Sequence, residues 1–251
     1  MIGVFDSGVG GLAVLREIRA VLPDADLLYL ADQAHAPYGS RSLESVRACA
    51  ENATRILLDR GADAVVVACN TASAAALGRL RAAHPGVSFV GMEPAVKPAA
   101  AATRNGVIGV LATPTTFDAS VFDELVGRYG AGLRVIAHPC PGWASAVEGE
   151  WPDGADEPVR RHLAPILAAG ADTLVIACTH YSFIRDVIAR AAGDGVAVID
   201  PAPAVARQVA RVVADTSGTG VTTYLTTGDP DRFAAQIARL LGETATAEHA
   251  T

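Results

Sequence analysis

The chain repeats itself. Ile2-Gly3-Val4 returns as Ile108-Gly109-Val110, and Glu93-Pro94-Ala95 returns as Asp200-Pro201-Ala202. Gly61-Ala62-Asp63, an apolar run and Ala68-Cys69 return as Gly170-Ala171-Asp172, an apolar run and Ala177-Cys178. The matches keep their order and lie 106 to 109 residues apart, so they describe one duplicated unit rather than chance likeness among strand endings. Within each copy, short β-branched runs alternate with longer Ala/Leu/Arg segments, the pattern of βαβ units on a mostly parallel sheet. The spacing predicts strands at Ile2–Phe5, Leu27–Leu30, Ala64–Ala68 and Val87–Met92, then at Val107–Leu111, Leu133–Ala137, Thr173–Ala177 and Val196–Ile199. Helices are expected between them, for instance Gly11–Val21 and Leu43–Asp59.

The expected fold is therefore α/β: two similar domains with mostly parallel sheets, related by a pseudo-twofold axis, with the active site in the cleft between them. Residues 1–93 and 205–251 form the first domain and 94–204 the second. The segment from about Ala204 through a last helix, Asp231–Leu241, returns to the first unit, and Glu243–Thr251 reads as a frayed polar tail. Ligands of open parallel sheets bind beyond the carboxyl ends of the strands, so both sets of strand ends would face one cleft.

Several function classes fall away on composition. Hydrophobic residues are 51% of the chain and aromatics 5%, so the core is mainly aliphatic. A net charge of −7 with no basic stripe repels a phosphate backbone, which excludes nucleic acid as the main partner. No apolar run reaches the roughly 18 residues of a membrane span. Met1 leads straight into a strand without a basic leader or a small-residue cleavage site, so a cytoplasmic chain is expected. Cys49, Cys69, Cys140 and Cys178 lack CxxC spacing, which indicates neither a disulfide framework nor a zinc knuckle.

The chemistry sits at the strand ends. Cys69 follows Ala64-Val65-Val66-Val67-Ala68, and Cys178 follows Thr173-Leu174-Val175-Ile176-Ala177. A cysteine after an apolar run is often only a small buried hydrophobe. Two of them at equivalent places in a duplicated unit, each with polar neighbours and near backbone N–H groups that favour a thiolate, point instead to paired acid–base groups. Inverting a stereocentre removes a proton from one face and returns one to the other, which two thiols on opposite sides accomplish.

Rival readings are weaker. Gly8-Val9-Gly10-Gly11-Leu12-Ala13 satisfies a dinucleotide-binding glycine pattern, with Asp32 at the second strand end for a ribose, but Asp6 would thrust a carboxylate at the pyrophosphate. A pyridoxal-phosphate enzyme needs a Schiff-base lysine, and Lys97 is the only lysine in the chain. Asp6, Cys69, Cys178 and His180 are metal-ligand types, although nothing in their spacing demands a metal. A two-lobed amino-acid binding protein would carry an export signal. No cofactor and no metal are expected.

Asp6-Ser7-Gly8-Val9-Gly10-Gly11, Pro37-Tyr38-Gly39, Cys69-Asn70-Thr71-Ala72-Ser73, Glu93-Pro94-Ala95-Val96-Lys97-Pro98 and Cys178-Thr179-His180-Tyr181 resemble, in order and across nearly the whole chain, the signature of the glutamate racemases in the aspartate/glutamate racemase family. The resemblance implies a cofactor-independent isomerase that interconverts L- and D-glutamate and supplies the D-isomer for peptidoglycan. It implies Cys69 and Cys178 as proton donor and acceptor, with Asp6, His180 and Glu148 assisting. Ser7, Pro37, Tyr38, Gly39, Asn70, Thr71, Thr113, Thr116 and Thr179 would contact the substrate together with Asp6 and His180. It further implies a small amino-acid substrate and a possible homodimer.

Structural readings stand beside these. Asp6 also suits a helix cap, His180 a satisfied structural histidine, Tyr38 a turn, and Glu148 a solvated helix face. His35, Cys49, Cys140, Trp143 and Trp151 are read as structural or unassigned. Ala177 and Ser182 depart from the usual Gly and Pro around the second thiol, and Ala112-Thr113-Pro114 from a Gly-Thr pair. These departures leave open aspartate or another amino acid as substrate.

Overall fold

The computed structural model describes residues 1–117, 120–152, 155–213 and 216–250. Among the described residues, ten strands form two sheets in which every pairing is parallel. The first sheet holds β1 (Ile2–Asp6), β2 (Leu27–Ala31), β3 (Ala64–Val67), β4 (Ser88–Gly91), β9 (Thr222–Thr226) and β10 (Ala247–His249), in the order β10-β9-β2-β1-β3-β4. The second holds β5 (Val107–Ala112), β6 (Arg134–Pro139), β7 (Thr173–Ile176) and β8 (Ala197–Ile199), in the order β6-β5-β7-β8. The core order β2-β1-β3-β4 is thus repeated as β6-β5-β7-β8. The duplication legible in the sequence is a duplication of topology, and the expected α/β class with two parallel sheets is what forms.

Register carries the likeness to single residues. Ile2 pairs with Ala64 and Gly3 with Val65; Ile108 pairs with Thr173 and Gly109 with Leu174. A Cβ on Gly3 would press on Leu57 and Ala62, and one on Gly109 on Leu174 and Ile166. The repeated glycine therefore marks where a helix, Leu43–Asp59 in one unit and Asp156–Ala168 in the other, packs closest to the central strand. The central strands β1, β3 and β7 are buried along their whole length, as strands covered by helices on both faces must be.

Two expectations need correction. The stretch read as a frayed tail contains β10, which pairs with β9, while the Ala250 N–H donates to the Thr226 carbonyl at 2.8 Å. Glu243 closes the same edge, meeting Arg19 at 2.9 Å and the Tyr224 hydroxyl at 3.1 Å. β9 itself escaped the sequence pattern because Thr222-Thr223-Tyr224-Leu225-Thr226 alternates too weakly to signal a strand. It becomes one by pairing with β2. The Ala202–Val212 helix packs on Leu12–Val21.

The loop after β1 locks the units together. A Cβ on Gly8 would overlap the Glu148 carboxylate, and one on Gly10 would overlap Thr179 and the His180 ring. These glycines exist to let backbone approach the second unit's side chains. No space remains there for a dinucleotide pyrophosphate. We expect Gly8→Ala to destabilise the fold by about 1–3 kcal/mol in urea titration. Gly78→Ala, mid-helix with open space around its Cβ position, should instead stabilise it by about 0.5–1 kcal/mol.

Candidate active site

Strand ends from both sheets meet at one cavity of about 400 Å³ counted with its open mouth. The first unit contributes Ser7 from the end of β1, Cys69, Asn70 and Thr71 from the end of β3, and the lip Pro37-Tyr38-Gly39. The second contributes Thr113, Glu148, Cys178, Thr179 and His180. The two thiols that the duplication relates thus face one space.

Their settings differ. Cys69 caps the Asn70–Ala83 helix, its Sγ accepting from the Ala72 N–H at 3.4 Å, and it sits 3.9 Å from the Ser7 hydroxyl. Burial pushes this thiol up, the Asp6 carboxylate adds to the rise, and the Ala72 N–H only partly offsets them. The backbone does not make this cysteine a resting thiolate, contrary to the expectation from its position. Cys178 is followed by a tight 3-10 turn, Thr179–Ile184, rather than an α-helix, and its partner is a side chain: His180 Nδ1, 3.8 Å away.

His180 is the hinge of the electrostatics. Its Nε2 meets Glu148 Oε1 at 2.8 Å. Burial alone would push the imidazole down, but its contacts with Cys178 and Glu148 overturn that and hold it well above the usual histidine range. Glu148 moves the opposite way: burial raises it, while the bond to His180 and the Val9 N–H pull it below the usual carboxylate range. An imidazolium between a carboxylate and Cys178 is the favoured state, so His180 is not a neutral structural histidine.

Glu148 belongs to the site and not to a solvated face. Beyond His180, its carboxylate accepts from the Val9 N–H at 2.7 Å, Gln33 Nε2 at 3.2 Å and Gln236 Nε2 at 3.3 Å. Gln236 Nε2 also reaches the Glu148 carbonyl at 2.6 Å. Gln33 and Gln236 were missed by sequence reasoning. They stand 203 residues apart, in no motif, and meet at 2.7 Å.

The other expected residues sort into wall and support. Asp6 is fully buried behind the cavity, accepting from Thr179 Oγ1 and the Gly8 N–H at 3.1 Å each. It caps no helix. Burial raises its carboxyl above the usual range, against the pull of His180. The Tyr38 ring lines the cavity, but its hydroxyl donates to Asp32 at 2.5 Å, so that hydroxyl is engaged away from any ligand. Thr116 lies behind the wall, joined to Thr113 at 3.0 Å and to Thr71 at 3.2 Å. Lys97 stands away from the cavity with its ammonium 5.7 Å from the Tyr129 ring centre, out of place for a Schiff base here. Asp6, Cys69, Cys178 and His180 supply no set of three ligand atoms within 4.8 Å of one another among the described residues.

The sequence profile of the Asp/Glu/Hydantoin racemase family matches residues 10–209. A glutamate racemase of Roseiflexus sp. (strain RS-1) is 49% identical over 95% of this chain and 91% of its own length. The crystal structure of a glutamate racemase isoform from Bacillus anthracis superposes with a TM-score of 0.89 at 31% identity, covering 100% of this chain and 97% of that one. The Escherichia coli glutamate racemase in complex with L-glutamate and the activator UDP-MurNAc-ala gives 0.89 at 30% identity, with the same coverage. Among the described residues no helix is long and apolar enough to cross a membrane. The chain belongs to the Asp/Glu/Hydantoin racemase family.

Proposed function

We propose that the chain interconverts L- and D-glutamate without a cofactor, moving protons between its two thiols and the substrate α-carbon, and that the D-isomer serves peptidoglycan synthesis. The observation that carries this reading is the cavity shared by Cys69 and Cys178, one thiol from each copy of the duplicated unit. Relatives named glutamate racemase, and one solved with L-glutamate, support the substrate. In the same reading, residues 1–93 with 205–251 carry one wall and residues 94–204 the other.

The proton inventory gives each thiol a starting role. Cys69, raised by burial and by Asp6, begins as the acid. With Cys69 as the acid, Cys178 beside His180 Nδ1 is left the part of the base. After one turnover the roles are reversed. Asn70 donates to Met92 Sδ and leaves a buried Oδ1 without a partner, an acceptor for the substrate ammonium. No Lys or Arg lines the cavity among the described residues, so the carboxylates are held by donors that do not titrate: the hydroxyls of Ser7, Thr71 and Thr113 and nearby backbone N–H groups, the Thr179 hydroxyl being given to Asp6. Asp6 and Thr116 hold these donors in place from behind the wall, and Gln33 and Gln236 hold Glu148.

In D2O the product enantiomer should carry deuterium from the first turnover while the remaining substrate stays unlabelled. The returned proton comes from the opposite thiol, which has equilibrated with solvent. Label entering the substrate pool as fast as the product would rule out two separate bases. Cys69→Ser and Cys178→Ser should each lower racemisation roughly 10²–10⁴-fold.

Glu148→Gln removes the anion that helps hold the His180 cation, so the imidazole deprotonates at lower pH. The alkaline limb of kcat/KM should therefore move to lower pH. Gln236→Leu strips two hydrogen bonds from Glu148 but leaves its charge in place, so it should move the limb far less. An unmoved limb in both variants would count against His180 acting as a cation.

A further inference from the structure

β6 ends in His138-Pro139 with Cys140 directly after it, and the Asp156–Ala168 helix sets His162 over that end. One ligand atom from each of His138, Cys140 and His162 lies within 4.8 Å of the other two. The two imidazole rings meet edge to face with centres 4.7 Å apart. We propose that these three residues form a binding site for a divalent transition metal of the zinc class, separate from the cavity and behind the wall that carries Cys178.

Donor chemistry and spacing agree. Two imidazoles and a thiolate match the nitrogen and sulfur ligands of zinc, whose bonds of about 2.0–2.3 Å put ligand atoms roughly 3.3–3.8 Å apart. A side-chain movement of about an ångström closes the present triad to that size. Three protein ligands leave the fourth position of a tetrahedron for water. His138 and His162 are half-buried and Cys140 is buried, so the metal would enter past the rings and meet the thiol beneath them.

Little else satisfies these atoms. His138 Nε2 is buried with no hydrogen-bond partner, a condition native structures rarely tolerate without a ligand or water. Cys140 Sγ has the His138 carbonyl at 3.5 Å, and His162 Nε2 has the Pro139 carbonyl at 3.2 Å. Burial, then the neighbouring His162, hold His138 below the usual range, in the neutral form that a metal takes. Burial, then Cys178, hold the Cys140 thiol up, so binding must displace a proton and tighten as pH rises. A second cluster, Asp32, His35 and Cys49, offers a comparable grouping. Its carboxylate is already filled by Tyr38, His35 and Thr227.

The location links the site to the cavity wall. The Cys140 carbonyl accepts from the Tyr181 hydroxyl at 2.9 Å, in the turn that begins with Thr179 and His180. Trp143 opens the short helix that ends in Glu148 and packs on both His162 and Tyr181, with ring centres 5.1 and 5.4 Å apart. A metal there would stiffen the segment that holds Glu148 and His180.

Co2+ titration of the full-length Cys69→Ser/Cys178→Ser variant tests the site by binding alone, independent of the racemase reading. One equivalent should bind with a thiolate-to-cobalt charge-transfer band, displaced by Zn2+ and weakened as pH falls. Cys140→Ser should abolish the band. His162→Ala, a half-exposed helix position that should leave the fold intact by circular dichroism, should weaken binding at least about tenfold. Cys49→Ser should leave both unchanged. Absence of the band, its survival in Cys140→Ser, undiminished binding in His162→Ala, or loss of the band in Cys49→Ser would overturn the proposal.

Discussion

A carboxylate taken out of water must find donors for its lone pairs, and Glu148 finds them on both sides of the molecule. From the first unit it receives the Val9 N–H and the amides of Gln33 and Gln236; from its own unit it meets His180. The rest of the site depends on this convergence. It holds the loop after β1 against the second unit, which is why Gly8 and Gly10 have no room for a side chain. It also fixes the His180 ring, and through that ring the environment of Cys178.

The same network separates two thiols that are alike in topology. Each ends a strand flanked identically in its sheet, β3 beside β1 and β7 beside β5. Negative charge from Asp6 stands near Cys69, and a favoured cation stands beside Cys178. The duplication supplies matched positions, and divergence around them supplies different partners for the two thiols. A pair of groups that must exchange a proton across one carbon works best when their resting states differ. Parallel strand ends opening on one cavity make this possible, since every strand of both sheets points its carboxyl end the same way as its neighbours.

Much of this was legible in the residues. The repeat of Ile-Gly-Val and Ala-Cys at nearly constant spacing determined two like parallel units and paired thiols, because strand periodicity and strand-end chemistry are local properties. The glycine-rich loop was visible too, with a dinucleotide site as a weaker reading that Asp6 already opposed. The packing of Glu148 and His180 against Gly8 and Gly10 shows what the glycines make room for. β9 and β10 stayed hidden because their short polar strands form only by adding to an existing sheet edge. The Tyr38 hydroxyl is claimed by Asp32, a partner no motif names.

What the sequence alone determined, then, is the pair of thiols and the frame that repeats them. What tertiary structure decided is which charges surround each one. Gln33 and Gln236 are 203 positions apart and carry no pattern, while Glu148 and His180 were marked only by the resemblance, beside readings as a solvated helix residue and a structural histidine. Their effect comes from burial and mutual distance, and a linear chain contains neither until it folds.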